Sequence, residues 1–314
     1  MDFQSDDVAT PFAAGASAPV PARWWRVPRV QGFALYLALL TLIFLKPLVR
    51  LAVYAYGSDL DSHVVWVVFI VAYLLYTNRS ARRPALKTGL VGASVLGAAA
   101  LLGVAGLLGG TDLSVNDHVT LTTFSFVCLV AAGGFLFLGT AWMASHAFAM
   151  SFLIFMVPMP DAMRAWLERM LMGLSADAAN LFLNMTDVPF IRDGAEAFEL
   201  PGIHLVVARE CSGIHSTWVL FITSLLAAHK SLHGPWRRLL LVAFVFPLGV
   251  LRNGFRIMVI GLLCVKIGPQ MVDHPIHRQG GPIFFALSLV PLFLLLLALQ
   301  RGERKRSPLE PVRT

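Results

Sequence analysis

Apolar runs broken by short polar stretches repeat along most of the chain. A membrane-crossing helix needs about 20 mostly apolar residues. On that rule eight spans are predicted, at roughly 31–54, 63–77, 88–109, 118–139, 142–158, 212–229, 239–265 and 281–300, the second and fifth being short. One long interruption, 160–210, has a different rhythm. Asp161 is placed to cap a helix in which Met163, Trp166, Leu167, Met170 and Leu174 recur at three- and four-residue spacing, which predicts an amphipathic helix lying on the membrane surface. Val188–Ile191, Phe198–Leu200 and Ile203–Val207, divided by the turns Arg192-Asp193-Gly194-Ala195 and Pro201-Gly202, predict two or three short strands. The pattern therefore predicts an all-α polytopic membrane protein of about eight transmembrane helices. A small outer-face insertion, an amphipathic helix plus short strands, precedes the sixth helix.

Composition supports the membrane assignment. The 314 residues are 57% hydrophobic and 14% charged, with mean hydropathy +0.71, whereas ordinary soluble domains carry about 25% charged residues. The net charge of +7 raises a nucleic-acid reading, but the basic residues alternate between loops instead of clustering on one face. Arg79, Arg82, Arg83 and Lys87 follow the second span, Lys230, Arg237 and Arg238 the sixth, and Arg301, Arg304, Lys305 and Arg306 the last. By the positive-inside rule these are cytoplasmic. Asp59, Asp61, Asp112 and Asp117 lie in the alternate connections, so both termini are expected inside. Lys46 and Arg50, near the outer end of the first span, strain this pattern. Residues 1–30 are expected to form a disordered cytoplasmic tail with Arg23, Trp24, Trp25, Arg26 and Arg29 at the interface, 31–300 one transmembrane domain, and 301–314 a basic cytoplasmic tail.

Three stretches could carry chemistry. Of the cysteines, Cys128 and Cys264 lie in apolar runs, and only Cys211, in Arg209-Glu210-Cys211-Ser212-Gly213-Ile214-His215, has polar neighbours. A thiol at a helix N-terminus is stabilised as thiolate by exposed N–H groups, although a small residue packed at the bilayer entrance explains Cys211 as well. Arg252-Asn253-Gly254-Phe255-Arg256 interrupts an apolar run after Pro247. Each intramembrane Arg costs about 2.5–3.5 kcal/mol on insertion scales, so two at i and i+4 mark an inward face. No predicted span holds an acidic partner, which suits binding of an anion, including one formed only in a transition state. Finally, Asp273-His274-Pro275-Ile276-His277 precedes the eighth span on the same predicted side as Cys211. The cysteine, an arginine and a histidine can converge as nucleophile, oxyanion stabiliser and proton carrier for acyl transfer. His215, one turn from Cys211, competes with His277 as the base, and either Arg252 or Arg256 could face the thiol. No metal site or cofactor is expected.

At these residues the sequence resembles the exosortase/archaeosortase family of membrane-embedded cysteine transpeptidases. The resemblance rests on Glu210-Cys211-Ser212-Gly213-Ile214, on Asn253-Gly254-Phe255-Arg256-Ile257, and on His277 four residues before Gly281, with Phe284-Phe285 after it. Supporting matches run from about residue 31 to 300, among them Ser62-His63, Arg82-Arg83, Pro158-Met159-Pro160 and Leu200-Pro201-Gly202. The resemblance implies Cys211 as nucleophile, Arg256 as stabiliser of the intermediate or thiolate, and His277 as acid/base, with Glu210, Ser212, Gly213, Asn253, Arg252 and His215 supporting. It further implies cleavage of a C-terminal sorting signal (PEP-CTERM-like) of exported proteins through a thioester. The acyl group then passes to a membrane lipid or other amine at the outer face of a bacterial inner membrane, in a system linked to extracellular polysaccharide. The competing reading is a transporter or scaffold for polysaccharide export, in which the arginines bind an anionic solute.

Overall fold

The computed structural model describes residues 28–78, 87–110, 112–195, 197–207, 213–268, 270 and 281–306. The N-terminal tail up to residue 27, the loop holding Arg79, Arg82 and Arg83, the segment Glu210-Cys211-Ser212, the loop holding His277 and the last eight residues lie outside that description.

The chain is mostly helical. It runs through α1 (Pro28–Ile43), α2 (Leu45–Gly57), α3 (Val64–Thr77), α4 (Leu90–Gly109) and α5 (Val115–Gly133), the last prolonged by a wide π-type turn to Leu138. Two short helices, α6 (Thr140–Ser145) and α7 (Ala147–Phe152), and a tight turn at Leu153–Met156 lead to α8 (Asp161–Leu183). Three strands follow, β1 (Ile191–Asp193), β2 (Ala197–Leu200) and β3 (Ile203–Val206), then α9 (Ile214–Ser231), α10 (Pro235–Ile267) and α11 (Gly281–Arg306).

Among the described residues four helices are long and apolar enough to cross a membrane, and up to six when each sharply bent pair is one span. The predicted spans at 63–77 and 212–229 coincide with α3 and α9, which do not meet that test on their own. Their surfaces show why the helices need lipid. On α11, Ile283, Leu287, Val290, Leu294 and Leu297 form one exposed apolar stripe, while Phe284, Ser288, Leu292 and Leu296 form the buried one. A helix apolar on both stripes has no soluble solution.

The predicted first span is not one straight helix. α1 and α2 meet at Phe44 with a 69° bend. Leu51 and Ala55 of α2 are buried while Lys46 and Arg50 are exposed, so the two basic side chains leave along a helix that has turned away from α1. A 91° bend at Val157-Pro158-Met159-Pro160 likewise separates residues 147–156 from α8. Pro160, not Asp161, is the N-cap of α8; Asp161 stands in its first turn and accepts hydrogen bonds from Asn116 Nδ2 (2.7 Å) and Ser114 Oγ (2.5 Å) at the start of α5. Thr120 Oγ1 donates to Pro158 O (3.2 Å), completing a polar clasp over the corner.

α10 organises the second half. It packs on α8, α9 and α11. Its first part runs antiparallel to α9, with Leu241, Val245 and Leu248 against Leu220, Ala228 and Leu232. Residues beyond Asn253 extend past the start of α9 by about 21 Å at ~1.5 Å per residue, and there α8 and the sheet cover the helix. Phe198, Leu200 and Leu205, on the inner face of the antiparallel sheet, pack with Met172, Ala176, Leu183 and Ile257. The β2–β3 turn is Pro201-Gly202, with Gly202 at φ 79° as a tight turn requires.

α8 crosses α10 closely at Gly254, where an added Cβ would stand 2.5 Å from Ala178 Cβ. Gly254→Ala is expected to cost about 1–3 kcal/mol by overpacking, read as a lowered thermal midpoint of the detergent-solubilised chain. Gly97→Ala, with no atom within 4 Å of the new Cβ, is expected to leave it unchanged or slightly raised.

Candidate active site

The site begins where α9 starts. Gly213, the N-cap of α9, has φ 69°, a left-handed conformation that L side chains rarely adopt. It also admits the neighbouring helix. An added Cβ would meet Arg252 Nη2 at 3.0 Å and Asn253 Cγ at 3.1 Å. Arg252 Nη2 donates to Gly213 O (3.3 Å) and Thr217 Oγ1 (3.4 Å), while Nη1 is buried without a hydrogen-bond partner among the described residues. Only 8% of Arg252 and 2% of Asn253 is exposed. Arg256, one turn further along α10, is half-buried and its charge acts on Arg252. Among the described residues no carboxylate pairs with Arg252.

The structure thus brings together Gly213, Arg252 and Asn253, with Arg256 on the next turn. His215 lies in the first turn of α9. Glu210, Cys211, Ser212 and His277 fall outside the described residues.

The turn between α2 and α3 adds groups that sequence reasoning did not assign to the site. Asp61 is 2% exposed, and its Oδ2 accepts from Ser58 Oγ (2.7 Å). Leu60 packs with Leu171 of α8 and Ile214 of α9. His63 stands edge-on to Trp218 with ring centroids 6.4 Å apart, its Nδ1 is 3.0 Å from Leu60 O, and it senses His215. The local signal was a Ser-x-x-Asp turn ahead of an apolar helix; its docking on α9 is a long-range contact that no local period reports. Burial pushes the His63 pKa down, against the pull of the Leu60 carbonyl and Asp61, and His215 pushes the same way as burial.

As for metal ligands, Asp193, Glu199 and His204 share the exposed face of the sheet, with ligand atoms within 4.8 Å of one another. His204 Nδ1 and Glu199 Oε1 stand 4.0 Å apart across the strand pair, an ion pair only when the imidazole is protonated.

Two consequences are measurable. Gly213→Ala is expected to cost at least about 1–2 kcal/mol from the left-handed backbone alone, read as a fall in thermal midpoint, with the Arg252 contacts adding to it. For His63, a folded pKa below the unfolded one means that the unfolded chain takes up the proton first. Its contribution to stability is complete above about pH 6.5 and is lost as the pH falls through the unfolded and then the folded pKa. The thermal midpoint is expected to fall on acidification from pH 7.5, and His63→Asn is expected to flatten that dependence.

No curated protein and no solved structure matches the chain. The family model described as transmembrane exosortase matches residues 54–294. That stretch takes in the turn at Asp61, the Gly213–Arg252 approach and most of α11, and the chain belongs to the transmembrane exosortase family.

Proposed function

We propose that the chain is a membrane cysteine protease/transpeptidase in which Cys211 is the nucleophile, Arg256 the oxyanion stabiliser and His277 the acid/base. Family membership supports a membrane transpeptidase/protease role in general. The observation that carries the finer reading is the seating of Arg252 and Asn253 on the backbone of Gly213. Cys211 precedes Gly213 by two residues, within about 7 Å between Cα atoms. The block holding the cysteine and the block holding the arginines therefore meet at one level of the bundle.

In the proposed reaction the Cys211 thiolate attacks a peptide carbonyl carbon, forming a C–S bond. The Arg256 guanidinium offsets the oxyanion charge. As the C–N bond breaks, His277 donates its proton to the departing amine. An acceptor amine, or water, then attacks the thioester, gives its proton back to His277 and releases the thiolate. The substrate is a C-terminal sorting signal (PEP-CTERM-like) of an exported protein, and the acceptor is a lipid or other amine. No cofactor takes part.

For the arrangement in the membrane we propose eight passes in a bacterial inner membrane, both termini cytoplasmic and the site outside, with a tail up to residue 30, one domain over 31–300 and a basic tail from 301. The contacts between connections support this. At one end of the bundle Asn78 Nδ2 reaches Ser145 O (2.9 Å), and Glu303 accepts from the His233 and Gly234 N–H groups (3.1 and 2.9 Å) beside Arg237. At the other, Asp61, Asp117, Asp161 and Gly213 gather. The position of Asp61, Asp117 and Asp161 away from Lys230, Arg237 and Arg238 supports the orientation by the positive-inside rule.

The test is cleavage of a coexpressed sorting-signal substrate. Cys211→Ala is expected to abolish it, Arg256→Ala to slow it about 10²–10³-fold, and His277→Ala about 10²–10⁴-fold. His215→Ala is expected to leave the rate within about threefold, which separates the two histidines on the scale of general acid–base effects. Wild-type processing by Cys211→Ala would overturn the reading.

A further inference from the structure

A second polar site lies at the far end of α9, about 25 Å from Gly213 at ~1.5 Å per residue. There a cavity of about 240 Å³ is lined by Asn78, Ser145, His146, Phe148, His229 and Lys230, among others, and among the described residues no carboxylate lines it. Its three nitrogen bases are held by their ring faces or stems, leaving polar atoms for a ligand. His229 stacks face to face on Phe148 at 3.6 Å between centroids. His146 is 9% exposed and stacks on Trp142 at 4.2 Å; its Nδ1 lies 3.0 Å from Trp142 O and 2.9 Å from Ser145 Oγ, and its Nε2 makes no hydrogen bond among the described residues. Lys230 Nζ stands 4.7 Å over the Tyr73 ring. Neither His229 nor Lys230 makes a side-chain hydrogen bond or ion pair among the described residues. The nearby carboxylate Glu303 is engaged by Arg237 and His233.

We propose that this cavity binds a phosphate group, and that its source is the headgroup of an anionic phospholipid. A concave site with an ammonium and two imidazoles, and without a counter-ion among the described residues, recruits an anion. The volume suits a phosphate with its glycerol, not the acyl chains. Those have their own track: Trp66, Phe69, Tyr73 and Tyr76 are 65%, 65%, 56% and 62% exposed and form an apolar stripe along α3 that begins under Lys230. A soluble phosphate ester offers the same chemistry to the cavity but leaves that stripe unused. The site is independent of the proposed peptidase activity.

The full chain in nanodiscs of equal phosphatidylglycerol and phosphatidylcholine is released into native mass spectrometry, and bound lipid is counted. Wild type is expected to retain phosphatidylglycerol in preference, and His229→Gln/Lys230→Gln to lose at least about fivefold of it, the size of a single coupling of about 1 kcal/mol. Because Lys230 is exposed, Lys230→Gln and Lys230→Arg can be compared without a folding defect: the arginine is expected to keep the lipid and the glutamine to lose it. Lys266→Gln, at the other end of α10, is expected to have no effect. In discs of phosphatidylcholine alone, glycerol 3-phosphate is titrated against thermal midpoint. A rise abolished by Lys230→Gln keeps the phosphate site but assigns it a soluble ligand. Equal phosphatidylglycerol retention by wild type and Lys230→Gln, with no response to glycerol 3-phosphate, would overturn the proposal.

Discussion

The contact between Arg252, Asn253 and the backbone of Gly213 sets the level on which the other elements are arranged. A guanidinium inside an apolar helix is expensive unless its N–H groups find acceptors. Here two are found at the start of α9, the Gly213 carbonyl and the Thr217 hydroxyl. Reaching them requires backbone-to-side-chain approach closer than a Cβ permits, and a left-handed turn at the same residue. Glycine meets both demands. The charge is thus the reason α9 begins where it does relative to α10, and α9's start in turn fixes where Leu60, Leu171 and Ile214 pack.

From that level the length of α10 becomes intelligible. Measured from its C-terminal end the arginines look deeply submerged, at a depth difficult to reconcile with chemistry at a membrane surface. Measured from Gly213 they lie at the mouth of α9. α10 is a 33-residue helix, about 50 Å long at ~1.5 Å per residue against a hydrocarbon core of about 30 Å. The excess is covered by protein: Gly254 admits α8, and Leu200 and Leu205 of the sheet lie beside Gly261. The insertion between Pro160 and Gly213 therefore acts as a sheath for the overhanging half of α10.

Much of this was legible because apolar periodicity and charge alternation are local signals. The apolar runs of α3, α4, α5, α9, α10 and α11 and the Pro201-Gly202 turn follow from short windows of sequence, whereas the approach of Arg252 to Gly213 joins residues 39 apart. The bend at Phe44 and the corner at Val157 to Pro160 were less legible, for different reasons. Phe44 stands just before Lys46-Pro47, a local mark of a break, but the angle of the turn is fixed by packing of α2 on α3 and α5, which no window contains. At the corner the prolines mark a break, but the 91° angle depends on Asp161 reaching Asn116 and Ser114 some 45 residues away. Asp61 and His63 escaped for the same reason as Phe44. Their neighbours in space, Leu171, Ile214 and Trp218, are distant in sequence.

The role of Arg252 follows from what it touches. Arg252 bonds to neutral acceptors, so its hydrogen bonds are satisfied in part while its charge is not cancelled by any described carboxylate. An uncancelled charge in a poorly polarisable setting acts over several ångströms. It favours any anion held near Gly213, whether a thiolate two residues away or an oxyanion on a bound carbonyl, without touching either. A second guanidinium one turn along strengthens that field. The repulsion between two such groups is an energetic cost that a nearby negative charge offsets. Arg252 is in this sense a positioning residue, anchoring α9 and polarising the site. Arg256 carries the same charge one turn further along α10, half-buried beside it.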